Sequence, residues 1–418
     1  ETVMKKRLLA CLLTLVMLLA LLPATALAAD IPTAGGTLTS GTYVLTGNVD
    51  LSTNLTIPAG AEVTIDLNGH TLKGNGSGSV VTVSGELTLL DSTARSEVDL
   101  ASGTEGVVFN DDGSVTVTYA VYDKDDNLTY RTYTSGAITG GVGATDSEGG
   151  GITVTGGSVI MNGGIITGNT PKPDTQYSLG GGIYIAYQNG SFTMNNGVVC
   201  KNTAASTVQQ GSGGGVYVGG TFEMNGGAFC FNEAKGVNAN GGAAFIQGTF
   251  TAKNAVFSGN RSEHWTGGLC GTVTLENCIL VNNYAGSVTD AYGGAMSGSG
   301  KIKACVVSHN SAPAGSGGGL YLNGPATVTD SYIQYNTAAK SGGGIAIPSK
   351  SNWNTRTKVT ISSSVIQSNT AQAGNGAGID AENNVELEVL NTTIKDNKAL
   401  GTDSYGGGIA LQATSLTL

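Results

Sequence analysis

Nine asparagines set the frame of this chain. Asn169, Asn202, Asn232, Asn260, Asn283, Asn310, Asn336, Asn369 and Asn397 each follow an apolar residue by three positions, at intervals of 33, 30, 28, 23, 27, 26, 33 and 28 residues. Recurrence on this scale marks a solenoid, whose units bury their apolar faces only against one another. Aligned on the asparagine, position −3 reads Ile166, Val199, Phe229, Phe257, Leu280, Val307, Ile333, Ile366 and Ile394. Position −8 is likewise apolar, from Met161, Met194 and Met224 to Ile361 and Val389. Position −5 accepts only small residues, from Gly164 to Thr392, as expected where a backbone bends sharply.

A second signature alternates with the first: a glycine cluster followed by an apolar-x-apolar triplet. It stands at 180–185, 213–218, 317–322, 342–347 and 406–411, with weaker copies starting at Gly149, Gly241, Gly267, Gly293 and Gly376. Within these segments apolar residues alternate with Thr, Ser and Asn, the period of a half-buried strand. A coil of about 28 residues with two or three short strands per turn is one rung of a parallel β-helix. No hexapeptide period, the mark of the left-handed form, is present. The expected fold is therefore all-β, a single-stranded right-handed parallel β-helix. Like residues of successive rungs then stack about 4.8 Å apart. The asparagines read as a structural ladder, each amide donating to one neighbour and accepting from the other, in left-handed turns that Asn tolerates.

Composition agrees. Glycine supplies 66 of 418 residues, but 8 prolines exclude collagen, and a mean hydropathy of +0.06 excludes intrinsic disorder. Lys5, Lys6 and Arg7, an apolar run from Leu8 to Leu22, and Ala26-Leu27-Ala28 read as a signal peptide over 4–28, cut near Ala28-Ala29. The expected mature protein is secreted or at the cell surface. It carries 17 Lys plus Arg against 29 Asp plus Glu, net −12. Such a surface repels phosphate backbones, so nucleic acid is not an expected partner, and with no second long apolar run membrane insertion is not expected either. Residues 30–135 read as an N-terminal cap with opening rungs, interrupted by a β-hairpin near 115–134 whose Tyr119, Tyr122, Tyr130 and Tyr133 are placed for cross-strand pairs. Residues 136–418 read as the repeat array, stopping within an unfinished rung.

The alternation of Gly-Gly-Gly/Ala-Ile/Val/Leu with Phe/Ile/Val-x-x-Asn, strictest in Phe229-Cys230-Phe231-Asn232 and Phe257-Ser258-Gly259-Asn260, resembles the repeats of polymorphic outer-membrane proteins and related bacterial surface β-helix proteins. The opening segment from Ile57 to Leu72, with Asp66-Leu67-Asn68-Gly69-His70, is similar to the start of many proteins of the pectin-lyase fold group. The resemblance implies an exported adhesin-like or glycan-binding scaffold. It does not fix function, because this fold carries lyases, hydrolases and adhesins alike.

Catalysis would need acids and a base converging on one outer face. Asp330, Asp380 and Glu223 each lack a charged partner in their own column. Lys253, Glu276 and Lys303 form a ladder of alternating charge. One cluster converges: Glu386 and Glu388 with Lys358, joined by Arg356, and its simplest reading is a surface ion pair. Asp123-x-Asp125-x-Asn127 starts like a calcium loop but lacks the glycine and final glutamate. His70, His264 and His309 are scattered, and no cofactor is expected. Cys200, Cys230, Cys270, Cys278 and Cys305 read as stacked small hydrophobes rather than a disulfide framework. Tyr184, Tyr217 and Phe245, with Tyr321 further on, form an aromatic ladder able to face sugar rings. Thr249, Thr251, Thr272 and Thr274 form a short regular array explained by strand propensity. The expectation is a non-catalytic scaffold for a glycan or host-surface ligand, with a lyase or hydrolase, or a stalk for a further domain, as alternatives.

Overall fold

The apolar columns close on themselves. The computed structural model describes residues 28–187, 189–286, 290–349, 356–412 and 415–418. Residues 1–27, on which most of the expected signal peptide falls, lie outside the described residues. Around one continuous core the chain winds as a right-handed parallel β-helix. One rung serves for all. Ile183–Ile185 and Ser191–Met194 lie in a long sheet shared by the first two strands of every rung. Val198–Cys200 lies in a second sheet, and Thr203–Ala205 in a short third ladder after the asparagine. Stacking is in register, as in Met161↔Met194↔Met224. In three rungs the first two strands fuse into single runs, Leu269–Glu276, Met296–Lys303 and Leu320–Thr329, and they part again at Ile345–Ile347 and Thr357–Ser362. Inside, Phe192, Phe222 and Phe250 stack with centroids 5.3 and 5.4 Å apart.

The asparagine ladder runs unbroken from Asn169 to Asn397. Asn202 Nδ2 donates to Asn232 Oδ1 at 3.1 Å and to the Ile166 carbonyl at 2.8 Å, while its own Oδ1 accepts from the Asn169 N–H and Nδ2. The same pattern repeats through Asn283, Asn310, Asn336 and Asn369. The glycine triplet makes room for it: a Cβ on Gly182 would stand 2.9 Å from the Asn202 amide nitrogen.

The left-handed turn does not fall on the ladder asparagines. It falls one residue earlier, at Gly168, Lys201, Phe231, Gly259, Asn282, His309, Tyr335, Ser368 and Asp396, with φ between +47° and +66°. The asparagine side chain holds the turn from outside it, so almost any residue type occupies the strained position. The bend at −5 also divides the rungs. Gly164, Gly197 and Gly227 carry positive φ themselves, whereas later rungs move it to position −6, on Asn254, Asn277, Ala304, Asp330, Ser363 and Asn391.

The inserted hairpin is larger than its sequence pattern. Val115–Tyr122 and Leu128–Ser135 are flanked by Arg95–Leu100 and Gly106–Phe109 in a four-stranded antiparallel sheet. Its tyrosines do not pair with one another: Tyr119 lies opposite Arg131, Tyr130 opposite Ala120, Tyr133 opposite Val117 and Tyr122 opposite Leu128. Tyr119 and Tyr133 instead turn inward with Val115, Val117 and Val121, onto Ile165, Val198, Cys200, Ala228, Cys230 and Val256. The insertion thus lies along the helix axis as a second layer. Ser258 Oγ donates to the Ala120 carbonyl at 2.9 Å, and at the tip the Tyr122 ring stacks on His309 at 4.0 Å. Asp123 Oδ1 accepts the backbone N–H groups of Asp125 and Asn127, a closed hairpin turn.

Candidate functional site

The central residue of each first strand faces away from the core, and these residues form one column along the molecule. In register it reads Thr37, Thr56, Thr82, Thr153, Tyr184, Tyr217, Phe245, Cys270, Ser297, Tyr321, Ala346, Asp380 and Ala410.

Upstream the column fills its own space. Tyr184 and Tyr217 stack 5.1 Å apart at 6°, and Tyr217 and Phe245 follow at 6.0 Å. Rings stacked along the axis present their faces to each other, and only edges remain for a ligand. Tyr217 is 6 % exposed and its hydroxyl donates to Gln247 at 2.7 Å. Burial, with Tyr184 and Tyr187 alongside, pushes its phenol up to about 12. Tyr184, Tyr217 and Phe245 thus pack as a wall of stacked rings, with Tyr184 and Phe245 half-buried.

Downstream the same column opens. After Tyr321, whose ring packs on Tyr292 at 4.5 Å, the next position is Ala346, then Asp380. The volume lost at Ala346 contributes to a cavity of about 320 Å³ lined by Tyr292, Tyr321, Lys340, Ser349, Asp380 and Glu382, among others. Asp380 is 2 % exposed, and its Oδ1 has no hydrogen-bond partner. Burial foremost, and the negative charge of Glu382, push its carboxyl up to about 7, against a hydrogen bond from Ser341 that lowers it. Glu382 Oε2 accepts the Ser349 N–H at 3.0 Å. Among the described lining residues the cation is Lys340, bound to Asp290 at 2.8 Å. A buried carboxyl with an orphan oxygen costs stability unless something meets it.

The sequence pattern placed no site here. Asp380 has no charged neighbour in its column, and its partner Glu382 stands two residues along the same strand side. The available signal was the outward Asp-x-Glu, preceded in the column by a small residue.

Lys358 does meet both glutamates, at 3.2 Å to Glu386 and 3.0 Å to Glu388, with Thr360 donating to Glu388 at 2.9 Å. These groups are solvated. The hydrogen bond from Lys358, then that from Thr360, holds Glu388 below the usual carboxylate range. Arg356 lies apart from the pair and reaches Ser415 at 3.4 Å. Glu276 bridges Lys253 and Lys303 at 3.8 and 3.0 Å. The five cysteines among the described residues are free thiols: Cys200 and Cys230 neighbour each other under the insertion, while Cys278 and Cys305 face the core. Among the described residues no three His, Cys, Asp or Glu side chains group to hold a metal, and no helix is long and apolar enough to cross a membrane.

Residues 268–417, which contain the cavity, match the family model described as a right handed beta helix region. Neither the curated proteins nor the solved structures give a match. The matched segment includes the merged runs between Leu269 and Thr329, and it is similar to that family in the fold that the whole array repeats.

Proposed function

We propose that this chain is an exported, surface-exposed β-helix that binds glycan, with the cavity between Tyr292 and Glu382 as its binding site. The carrying observation is Asp380, a buried carboxyl with an unmet oxygen on the wall of a cavity flanked by two tyrosines. Sugar sites combine such features: apolar ring surface for the C–H faces and a few fixed polar groups for the hydroxyls. The volume suits one or two sugar residues, with the rest of a chain lying along the outer sheet.

The paired carboxylates also support a hydrolase as second reading. Asp380, protonated near neutrality, would donate to the glycosidic oxygen while Glu382 activates water. Glycan-array screening followed by calorimetry tests the binding reading, and release of reducing ends by the same preparation tests hydrolysis. Ala346→Tyr, which continues the aromatic wall into the cavity, is expected to weaken glycan binding at least tenfold, while Lys358→Ala leaves it unchanged. Undiminished binding by Ala346→Tyr overturns this site, and a chain that binds no glycan is a stalk.

A further inference from the structure

Among the described residues four of the thiols meet in pairs. Cys200 and Cys230 stand directly across from each other in neighbouring strands. Cys278 and Cys305 occupy the same bend in successive rungs, one residue before the paired strands Ile279–Val281 and Val306–Ser308. In both pairs one thiol hydrogen-bonds to the other.

In-register neighbours have Cα atoms about 4.8 Å apart, inside the span of about 4.4–6.8 Å that a disulfide bridges. Their Cβ atoms must come closer, to about 3.5–4.5 Å, so the backbone has to give. The two pairs differ in whether it can. Cys200 and Cys230 end the strands Val198–Cys200 and Ala228–Cys230, which are held in register from both sides. Tyr119 and Tyr133 of the insertion pack in the same cluster. Cys278 and Cys305 lie outside any strand, directly after Asn277 and Ala304, whose φ of +54° and +52° makes the bend.

The rest of that column shows what the position otherwise does. Ser331 Oγ accepts the Cys305 N–H at 3.1 Å and donates to the Thr329 carbonyl at 2.7 Å. Ser364 Oγ repeats this with the Ser331 N–H and the Ser362 carbonyl, at 3.1 and 2.8 Å. Thiols are weak donors and acceptors. Cys305 Sγ reaches the Lys303 carbonyl at 3.2 Å, and Cys278 Sγ the Glu276 carbonyl at 3.4 Å. A column that changes from hydroxyl to sulfur at two adjacent rungs weakens the join there, and a covalent link would restore it.

We propose that Cys278 and Cys305 form an oxidation site, closed by a disulfide that staples two successive rungs, while Cys200 and Cys230 stay thiols. Resting on the export proposed above, the oxidant is a small-molecule or protein disulfide. Both sulfurs are buried once the rungs close, at 1 % and 0 % exposure, so the exchange takes place as the chain folds. The Cys278 thiolate attacks the oxidant, forming a mixed disulfide and expelling one thiolate. The Cys305 thiolate then attacks the Cys278 sulfur and expels the second. Two protein thiols are oxidised, the oxidant is reduced to two thiols, and the two protons lost by the cysteines end on them. The closed loop carries Tyr292, so the staple fixes the rung whose ring packs on Tyr321 beside the cavity.

The experiment unfolds and reduces the full chain, refolds it in a glutathione redox buffer, alkylates the remaining thiols and maps peptides without reduction. The same mapping on chain exported by cells and kept from reductant serves where refolding fails. One cross-linked pair is expected, Cys278 with Cys305, with Cys200, Cys230 and Cys270 alkylated. Reducing the linked protein should raise its unfolding equilibrium constant about 100-fold or more. The double variant Cys278→Ser, Cys305→Ser, which continues the hydroxyl column, should fold and show no response to reductant. Cys278 and Cys305 both alkylated, a link between Cys200 and Cys230, or the same mixture of links that forms in denaturant would each overturn the proposal.

Discussion

Two stretches of one column behave oppositely. From Tyr184 to Phe245 the outward residues are large and stack face to face, and Tyr217 places its hydroxyl on Gln247. From Tyr321 to Asp380 the same column shrinks to alanine and then sets a carboxyl at the edge of the hole. Both stretches share the glycine turn and the asparagine ladder, while the left-handed bend before the third strand moves from position −5 upstream to −6 downstream. On a solenoid, then, a wall becomes a site through two substitutions in one column. The scaffold need not change.

If the scaffold is common, breaking it should cost the same in either stretch. Asn202→Ala upstream and Asn336→Ala downstream each strip a buried amide that serves two rungs, and each should cost about 4 kcal/mol in chemical denaturation. A difference above about 1 kcal/mol would mean that the stretches differ in frame as well as in surface.

A smaller effect separates them. Tyr217→Ala removes a ring held between two others and should cost about 3 kcal/mol. Tyr321→Ala opens onto space that is already there and should cost under about 2 kcal/mol, while weakening ligand binding. Equal stability losses from the two variants would erase the contrast between closed and open stretches.

Much of the frame was legible because a β-helix stacks like on like. Columns such as Met161, Met194 and Met224 show in the sequence once the asparagine is aligned. The position of the left-handed turn was not legible, since the residue that adopts it ranges from Gly168 to Phe231 and His309. Docking of the insertion was also hidden, because it joins residues as distant as Ala120 and Ser258. Its trace is that third strands such as Val198–Cys200 and Ala228–Cys230 are apolar throughout, as strands buried on both sides must be. The cavity escaped for a different reason. Column alignment compares residues across rungs, whereas Asp380 and Glu382 act together along one strand.

The claim that the downstream stretch is a site rests on the state of one carboxyl. Its carbon resonance, assigned by its disappearance in Asp380→Asn, can be followed through a pH titration of the full chain. Burial and Glu382 should place the midpoint near 7. A midpoint near the ordinary 3.8 would show a solvated aspartate and no site.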